Sequence, residues 1–251
     1  MDGELIGLLS SMWPIFLGFI TLVIVLAKMH SAITVLEEKM KVAFELINKM
    51  KLQDCYVRPI VWRGSKQMGL STSNSDINVA IAVWDDWASY FKIEDRKAGL
   101  KLITSPWKRP APDTAPHQAK ASGPYIICTM SKEFAEKKGY HDALMLDYRG
   151  YVAEGTGANI FFIKNNDIHT PTPDCFLNGI TRQAVIKMAT EQGFQITERH
   201  ILPDEINNYD EAFLTGTAAE VTPVGQISDY SFEVGALTRD ISESYEKLVR
   251  V

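Results

Sequence analysis

The sequence has few of the residues that build disulfide frameworks or metal centres. Its three cysteines, Cys55, Cys128 and Cys175, are odd in number and far apart, and no pair has the spacing of metal ligands. The five histidines are equally scattered along the 251 residues. We therefore predict reduced thiols, as in a cytoplasmic protein, and no metal site.

Positive charge is also in short supply. The formal net charge is -5 and the isoelectric point is about 5.6, so the chain has no excess of basic residues to neutralise the phosphates of a nucleic acid. The composition is otherwise that of an ordinary globular protein, with 46% hydrophobic and 23% charged residues. We predict one large domain or two small ones, and no nucleic-acid partner.

A long uncharged stretch lies at the start of the chain. Leu5–Ala27 covers 23 residues without a charged side chain, and as a helix it would span about 35 Å, enough to cross a bilayer core of roughly 30 Å. Asp2 and Glu4 precede it, whereas a signal peptide begins with a basic cluster. The stretch predicts a transmembrane helix with the rest of the chain on the cytoplasmic side, and Pro14 keeps a buried core helix as the alternative.

The rest of the chain mixes helical and strand patterns. Apolar residues recur at helical spacing over 29–50, and alternation predicts strands over 54–62 and 76–84. More helices, strands and hairpins follow from residue 100 onward, which favours an α+β fold with a mixed or largely antiparallel sheet. We expect three regions: a hydrophobic helix over 1–30, a helix with a partial small α/β domain over 31–95, and a large domain over 96–251.

Within the large domain, turn residues and prolines set the predicted boundaries. Hairpins are expected around residues 149–150 and 165–166. Four prolines between 106 and 116 predict a loop without regular structure. The expected helices cover 122–138, 181–192, 204–208 and 241–249, and the expected strands cover 101–105, 142–148, 149–154, 159–164, 167–170, 195–199 and 211–215.

Lys120 is the first candidate for chemistry. It lies in the segment His117–Tyr125, whose small residues would let a planar ring approach the backbone. A lysine amine can act as a nucleophile and condense with an aldehyde. The alternative is a solvated surface lysine, which is the commoner fate of this residue type.

Glu154 is the second candidate. It lies in Val152–Gly157, a segment whose glycines allow a tight turn beside a flat ring. A carboxylate there could pair with the ring nitrogen of a cofactor and keep that nitrogen protonated. The alternative is an ordinary glutamate of a turn.

Two threonine-centred turns complete the set. Asn178–Thr181 opens a predicted helix, whose first N–H groups and the Thr181 hydroxyl could bind an anion, although Thr181 could equally be an ordinary N-cap. Thr215–Thr217 offers hydroxyls and small residues to a phosphate or a substrate carboxylate. With Lys120 and Glu154, these turns fit pyridoxal 5′-phosphate (PLP), an aldehyde with a ring nitrogen and a phosphate.

In their order and spacing, these motifs resemble the branched-chain amino acid aminotransferases, which belong to the fold-type IV PLP enzymes. The resemblance runs from about Met40 to the C-terminus. Five stretches carry it: Cys55–Val61, Lys120–Tyr125, Gly150–Phe161, Leu177–Arg182 and Thr215–Val224.

The resemblance implies a role for each matching residue. Lys120 would bond to the cofactor aldehyde and move the proton between the substrate Cα and the cofactor. Tyr125 would hydrogen-bond the phenolic oxygen of the cofactor, and Glu154 its ring nitrogen. The other implied contacts are Leu177 against the ring; Ile180, Thr181 and Thr217 at the phosphate; Thr217 and Ala218 at the substrate carboxylate; and Tyr56, Arg58 and Tyr90 around the substrate.

The implied activity is transfer of an amino group between leucine, isoleucine or valine and 2-oxoglutarate, by a dimer or hexamer. D-amino acid transamination and aminodeoxychorismate lysis use the same fold and cofactor and stay as alternatives. The first small-domain elements of the family, with an arginine that clamps the phosphate, have no counterpart here. A third alternative is therefore a truncated or fused, non-catalytic remnant tethered to a membrane.

Overall fold

The chain divides into two compact units, Met1–Trp87 and Ala88–Val251. The predicted membrane helix, Leu5–Ala27, and the predicted substrate residue Tyr90 lie outside the described residues. Within the described part, every helix is too short or too polar to cross a membrane. The structure is a computed structural model that describes residues 34, 37–64, 66, 69–85 and 91–250.

The first unit contributes a helix and a hairpin. Residues 37–50 form helix α1. Strands β1, Tyr56–Arg63, and β2, Ile77–Trp84, pair in antiparallel fashion, so both strands predicted here are confirmed. Large apolar side chains of the hairpin are exposed, with Val61 and Ile77 about two-thirds accessible.

One end of this hairpin carries a stacked group of side chains. Tyr56 lies opposite Trp84 in the strand register, and their ring centroids are 4.9 Å apart. The Arg58 guanidinium lies over both rings, 5.3 Å from the first centroid and 5.2 Å from the second. These distances are within the range of cation–π attraction, so the three side chains hold one another in place.

The second unit contains nine further strands and four further helices among its described residues. The helices are α2 Ile93–Ala98, α3 Tyr125–Lys137, α4 Ile180–Glu191 and α5 Ala236–Val249, with one 3₁₀ turn at Pro203–Asn208. The strands are β3 Leu100–Arg109, β4 Asp142–Asp147, β5 Val152–Glu154, β6 Asn159–Lys164, β7 Asp167–Pro171, β8 Ile196–Arg199, β9 Glu211–Gly216, β10 Glu220–Ile227 and β11 Tyr230–Ser231.

The nine strands form one mixed sheet, as the sequence predicted. Strand β10 is parallel to β3, β3 to β4 and β7 to β8, and the other pairs are antiparallel. Strand β9 pairs with both β10 and β6, so the pairings β10–β3–β4–β5–β6–β9 return to β10 and close a ring of six strands. A closed ring leaves no free edge among its members.

Strand β6 is buried on both of its faces. Its side chains alternate between two core clusters, with Ile160 and Phe162 in one, and Phe161 and Ile163 in the other. Phe161 stacks on Phe213 of β9 at 4.9 Å, and α4 and α5 cover this side of the sheet. A strand buried on both faces is expected to read as a continuous apolar run.

The predicted loop over 106–116 is wrong at its start. Strand β3 continues through Pro106 to Arg109, because its pairing with β4 shifts register between Thr104 and Lys108. A proline is tolerated where such an irregularity removes the need for a ladder N–H. The corrected boundary places Arg109 at the end of a strand and not in a loop.

Other boundaries also differ from the predicted ones. The segment before residue 100, for which no helix was predicted, contains helix α2. Strand β10 is absent from the predicted strands, and helix α5 begins five residues earlier than expected. The two predicted hairpins in the second unit are confirmed, and Asn165 and Asn166 both have positive φ at their turn.

Gly99 tests how tightly the ring is packed. It joins α2 to β3 with φ +84°, and a Cβ there would lie 2.6 Å from the backbone nitrogen of Gly225 on β10. We expect Gly99→Ala to lower the free energy of unfolding by about 3 kcal/mol, from left-handed strain plus the clash. Urea denaturation measures this loss.

Gly139→Ala is the matched control. Gly139 has a similar φ of +80°, but no atom lies within 4 Å of its added Cβ. This variant carries the backbone strain alone, about 1–2 kcal/mol. Equal losses in the two variants would contradict the close packing of Gly99 on Gly225.

Candidate active site

One cleft in the second unit collects all seven predicted cofactor-binding residues. Its empty volume is about 760 Å³, including the part that is open to solvent. The residues that line it include Lys120, Tyr125, Glu154, Leu177, Ile180, Thr181 and Thr217. Their roles stay predictions, but residues nearly a hundred positions apart now share one cavity.

Lys120 and Tyr125 meet on one wall of the cleft. Lys120 precedes helix α3, and Tyr125 is the first residue of that helix. The Lys120 Nζ donates a hydrogen bond to the Tyr125 hydroxyl at 2.5 Å and lies 4.9 Å from the centre of its ring. The tyrosine therefore fixes a flexible lysine amine at the mouth of the cleft.

Glu154 lies at the end of β5 and is 8% exposed. Burial raises the pKa of its carboxyl to about 8, while the positive charges of Arg109 and Lys120 act in the opposite direction and Asp142 adds to the rise. Even beside these positive charges, the buried carboxyl holds a proton near neutral pH. It is suited to a partner that shares a proton, such as a pyridine nitrogen.

Arg109 is the functional candidate that the sequence reasoning missed. It is 4% exposed, and its Nε lies 3.3 Å from the Glu154 Oε1. Its Nη1 donates to the Cys128 Sγ at 3.1 Å and to the Pro124 carbonyl at 3.4 Å. Arg109 therefore connects the buried carboxylate to the start of α3, where Tyr125 holds Lys120.

Cys128 accepts this hydrogen bond as a neutral thiol. Burial raises its pKa to about 11, more than the charge of Arg109 lowers it. A neutral thiol does not neutralise the positive charge of Arg109, so this charge acts on the Glu154 carboxyl.

The start of helix α4 gives the cleft groups that can bind an anion. Helix α4 begins at Ile180 after Gly179, and no side chain caps it, so Thr181 is not the N-cap that was one alternative. The Thr181 side chain is 6% exposed, and the hydroxyl of Thr215, also in the lining, is buried without a hydrogen-bond partner. Free helical N–H groups and an unpaired hydroxyl are the donors that a phosphate requires.

The predicted substrate residues are placed less completely. Thr217 lines the cleft, and Ala218 follows it in the turn between β9 and β10. Tyr56 and Arg58 belong to the stacked group of the first unit. Tyr90 lies outside the described residues.

One group of possible metal ligands occurs among the described residues, formed by Asp147, Asp174 and Cys175. The Arg149 guanidinium lies 2.6 Å from the Asp147 carboxylate and 2.8 Å from that of Asp174. The positive charge that these two carboxylates require is therefore supplied by arginine.

The residues of the cleft fit PLP. The lining contains an amine, a buried carboxyl that can share a proton, and anion donors at the start of α4. The Thr215 hydroxyl in the lining also has no partner within the described chain, and a buried unpaired hydroxyl costs stability.

Comparison with known proteins identifies the family. The profile of the amino-transferase class IV family matches residues 29–227. The chain therefore belongs to this family, which confirms the fold-type IV resemblance and its PLP chemistry.

The similar proteins are aminotransferases. The branched-chain-amino-acid aminotransferase of Pseudomonas aeruginosa is 39% identical over 206 residues, which are 81% of this chain and 67% of that protein. The crystal structure of the Thermoproteus uzoniensis branched-chain aminotransferase with norvaline superposes with a TM-score of 0.79 at 34% identity, over 85% of this chain and 71% of that one. A Brucella abortus aminotransferase bound to PLP gives a TM-score of 0.68 at 28% identity, over 78% and 69%.

The raised pKa of Glu154 predicts a pH dependence of stability in the cofactor-free protein. The unfolded carboxyl loses its proton near 4.5 and the folded one near 8, so the stabilisation is complete below 4.5 and is lost as the pH rises through 8. Glu154→Gln, which cannot ionise, should lack this loss, on the order of a few kcal/mol. Urea denaturation of both proteins across this pH range measures it, and a constant difference between them would contradict it.

Arg109 should set the pH at which this transition occurs. Arg109 contributes the largest of the effects that lower the pKa of Glu154, so Arg109→Met should move the transition to higher pH. Arg109→Lys keeps the charge and should stay closer to the wild type. The midpoint of the pH dependence of unfolding is the quantity to compare, because overall destabilisation alone does not move it. The same midpoint in Arg109→Met and the wild type would show that the two side chains do not interact.

Proposed function

We propose that the chain is a PLP-dependent transaminase that moves the amino group between leucine, isoleucine or valine and 2-oxoglutarate. The observation that carries this proposal is the shared cleft of Lys120, Tyr125 and Glu154, in a chain 39% identical to a branched-chain-amino-acid aminotransferase. When bound, PLP supplies an electron sink for the electron pair left on the substrate Cα after proton loss. The residues of the chain supply the rest.

Lys120 is assigned the covalent and proton-transfer roles. Its Nζ would be the nucleophilic amine that holds the cofactor aldehyde, and the same nitrogen would take the proton from the substrate Cα. The Tyr125 hydroxyl, 2.5 Å away, holds this nitrogen on the cofactor side of the cleft. We place Leu177 against the ring, where it lines the same cleft.

We assign Glu154 to the ring nitrogen of the cofactor, with which it would share a proton. A carboxyl with a pKa near 8 gains more from a positively charged neighbour than an exposed one would, because it is buried. Arg109 keeps the carboxylate form accessible, so the shared proton can reside on the cofactor. A protonated ring is the stronger electron sink.

We assign the start of α4 to the binding of the cofactor phosphate. The N–H groups of Ile180 and Thr181, with the Thr181 and Thr217 hydroxyls, supply donors and the positive end of the helix dipole. By the family resemblance, the backbone of Thr217 and Ala218 would bind the substrate carboxylate.

The proposal includes three features that the resemblance or the sequence alone supports. Tyr56, Arg58 and Tyr90 would border the substrate. The protein would act as a homodimer or hexamer. Its catalytic part would be cytoplasmic, with membrane attachment through Leu5–Ala27.

The test is a transamination assay on the full chain, purified in detergent and supplied with PLP. Lys120→Ala should lower the turnover of leucine with 2-oxoglutarate by roughly 10³-fold or more and remove the visible absorption of the bound cofactor. Lys187→Ala, an exposed lysine on α4, should leave both unchanged.

Three results would count against the proposal. Wild-type turnover in Lys120→Ala would remove the assigned nucleophile. Preference for D-amino acids or for aminodeoxychorismate would keep the cofactor and change the reaction. A wild-type chain without cofactor absorption or turnover would be a non-catalytic remnant.

A further inference from the structure

Asn159 is a buried polar residue of the cleft with no part in the chemistry described above. It is the first residue of β6 and is 4% exposed. Its Nδ2 donates to the Glu154 Oε2 at 3.3 Å and to the Leu177 carbonyl oxygen at 3.0 Å. Its Oδ1 accepts the Gly179 N–H at 3.2 Å. A single amide group on β6 therefore binds both β5 and the segment before α4.

These segments carry two of the groups assigned to the cofactor. Glu154 is assigned to the ring nitrogen, and Gly179 caps the helix whose start is assigned to the phosphate. In the sheet, Asn159 is opposite Glu154 on one side and opposite Thr215 on the other. Asn159 thus lies between the group assigned to the ring nitrogen and the group assigned to the phosphate of one ligand.

Gly179 is matched to this contact. A Cβ at Gly179 would lie 2.5 Å from the Asn159 Oδ1. The glycine has φ -61° and ψ 145°, a backbone conformation that alanine adopts without strain. The close approach of Asn159, and not the backbone, therefore requires glycine at this position.

We propose that Asn159 is a positioning residue that sets the distance between Glu154 and the start of α4. With that distance fixed, one ligand can engage Glu154 through its pyridine nitrogen and the start of α4 through its phosphate at the same time. The inference rests on the proposed function, because it concerns the same cofactor. It adds a residue whose effect depends on whether the ligand carries a phosphate.

The experiment compares PLP with pyridoxal, which has the same ring and aldehyde but no phosphate. The quantity of interest is the ratio of their apparent dissociation constants, measured by absorbance titration of the full chain. Asn159→Ala should reduce the advantage of PLP over pyridoxal by roughly tenfold, because the phosphate and the ring can no longer be bound together at full strength. This ratio is a binding measurement and does not depend on turnover.

Two further variants separate positioning from folding. Gly179→Ala should reduce the same ratio by pushing the helix start away from Asn159. In the Asn159→Ala background, Gly179→Ala should have little further effect, because the clashing Oδ1 is gone. Thr170→Val is the control: it removes a buried hydroxyl that donates to the carbonyl of Ile160, next to Asn159, and it should leave the ratio unchanged.

The outcomes are distinct. A PLP-to-pyridoxal ratio that is unchanged in Asn159→Ala, while both affinities fall equally or stay constant, would overturn the inference and leave the proposed function intact. Additive effects of the Asn159→Ala and Gly179→Ala changes would also overturn it. A wild-type chain that binds neither ligand would overturn the proposed function and this inference together.

Discussion

The buried carboxyl of Glu154 is the constraint on which the cleft depends. Burial makes its charge costly, so the surrounding chain must supply partners. Arg109 approaches one carboxylate oxygen and Asn159 donates to the other. The first partner also holds the start of α3, and the second holds the cap of α4. The two partners of one carboxyl therefore position the start of α3, which carries Tyr125 beside Lys120, and the anion-binding start of α4.

The sequence predicted the parts of the site that are written in short motifs. Lys120, Glu154 and the turn at Thr181 each lie in a segment of small residues next to an apolar element, and such patterns are legible without a fold. Arg109 was missed for a local reason. Pro106 indicated a loop, whereas a register shift lets β3 continue past the proline, and only then does Arg109 reach the buried carboxylate.

The remaining features could not be predicted because they depend on distant pairing. The ring closes through β9 and β10, and the unpredicted β10 contains a proline that propensity counts against a strand. The three hydrogen bonds of Asn159 reach β5 and the segment before α4, so no spacing along the chain reveals them. The substrate roles of Tyr56 and Arg58 stay predictions.

Ring closure has a consequence for biosynthesis. Strand β3 is held by β10, and a hydrogen bond between Thr104 and Ser228 spans 124 residues. A nascent chain emerging from the ribosome therefore carries the lysine and glutamate segments long before the strand that completes the ring is made. Contacts of such long range form slowly, and the apolar strands stay unpaired until they form. Chaperones that shield these strands during translation are expected to govern the yield of folded protein.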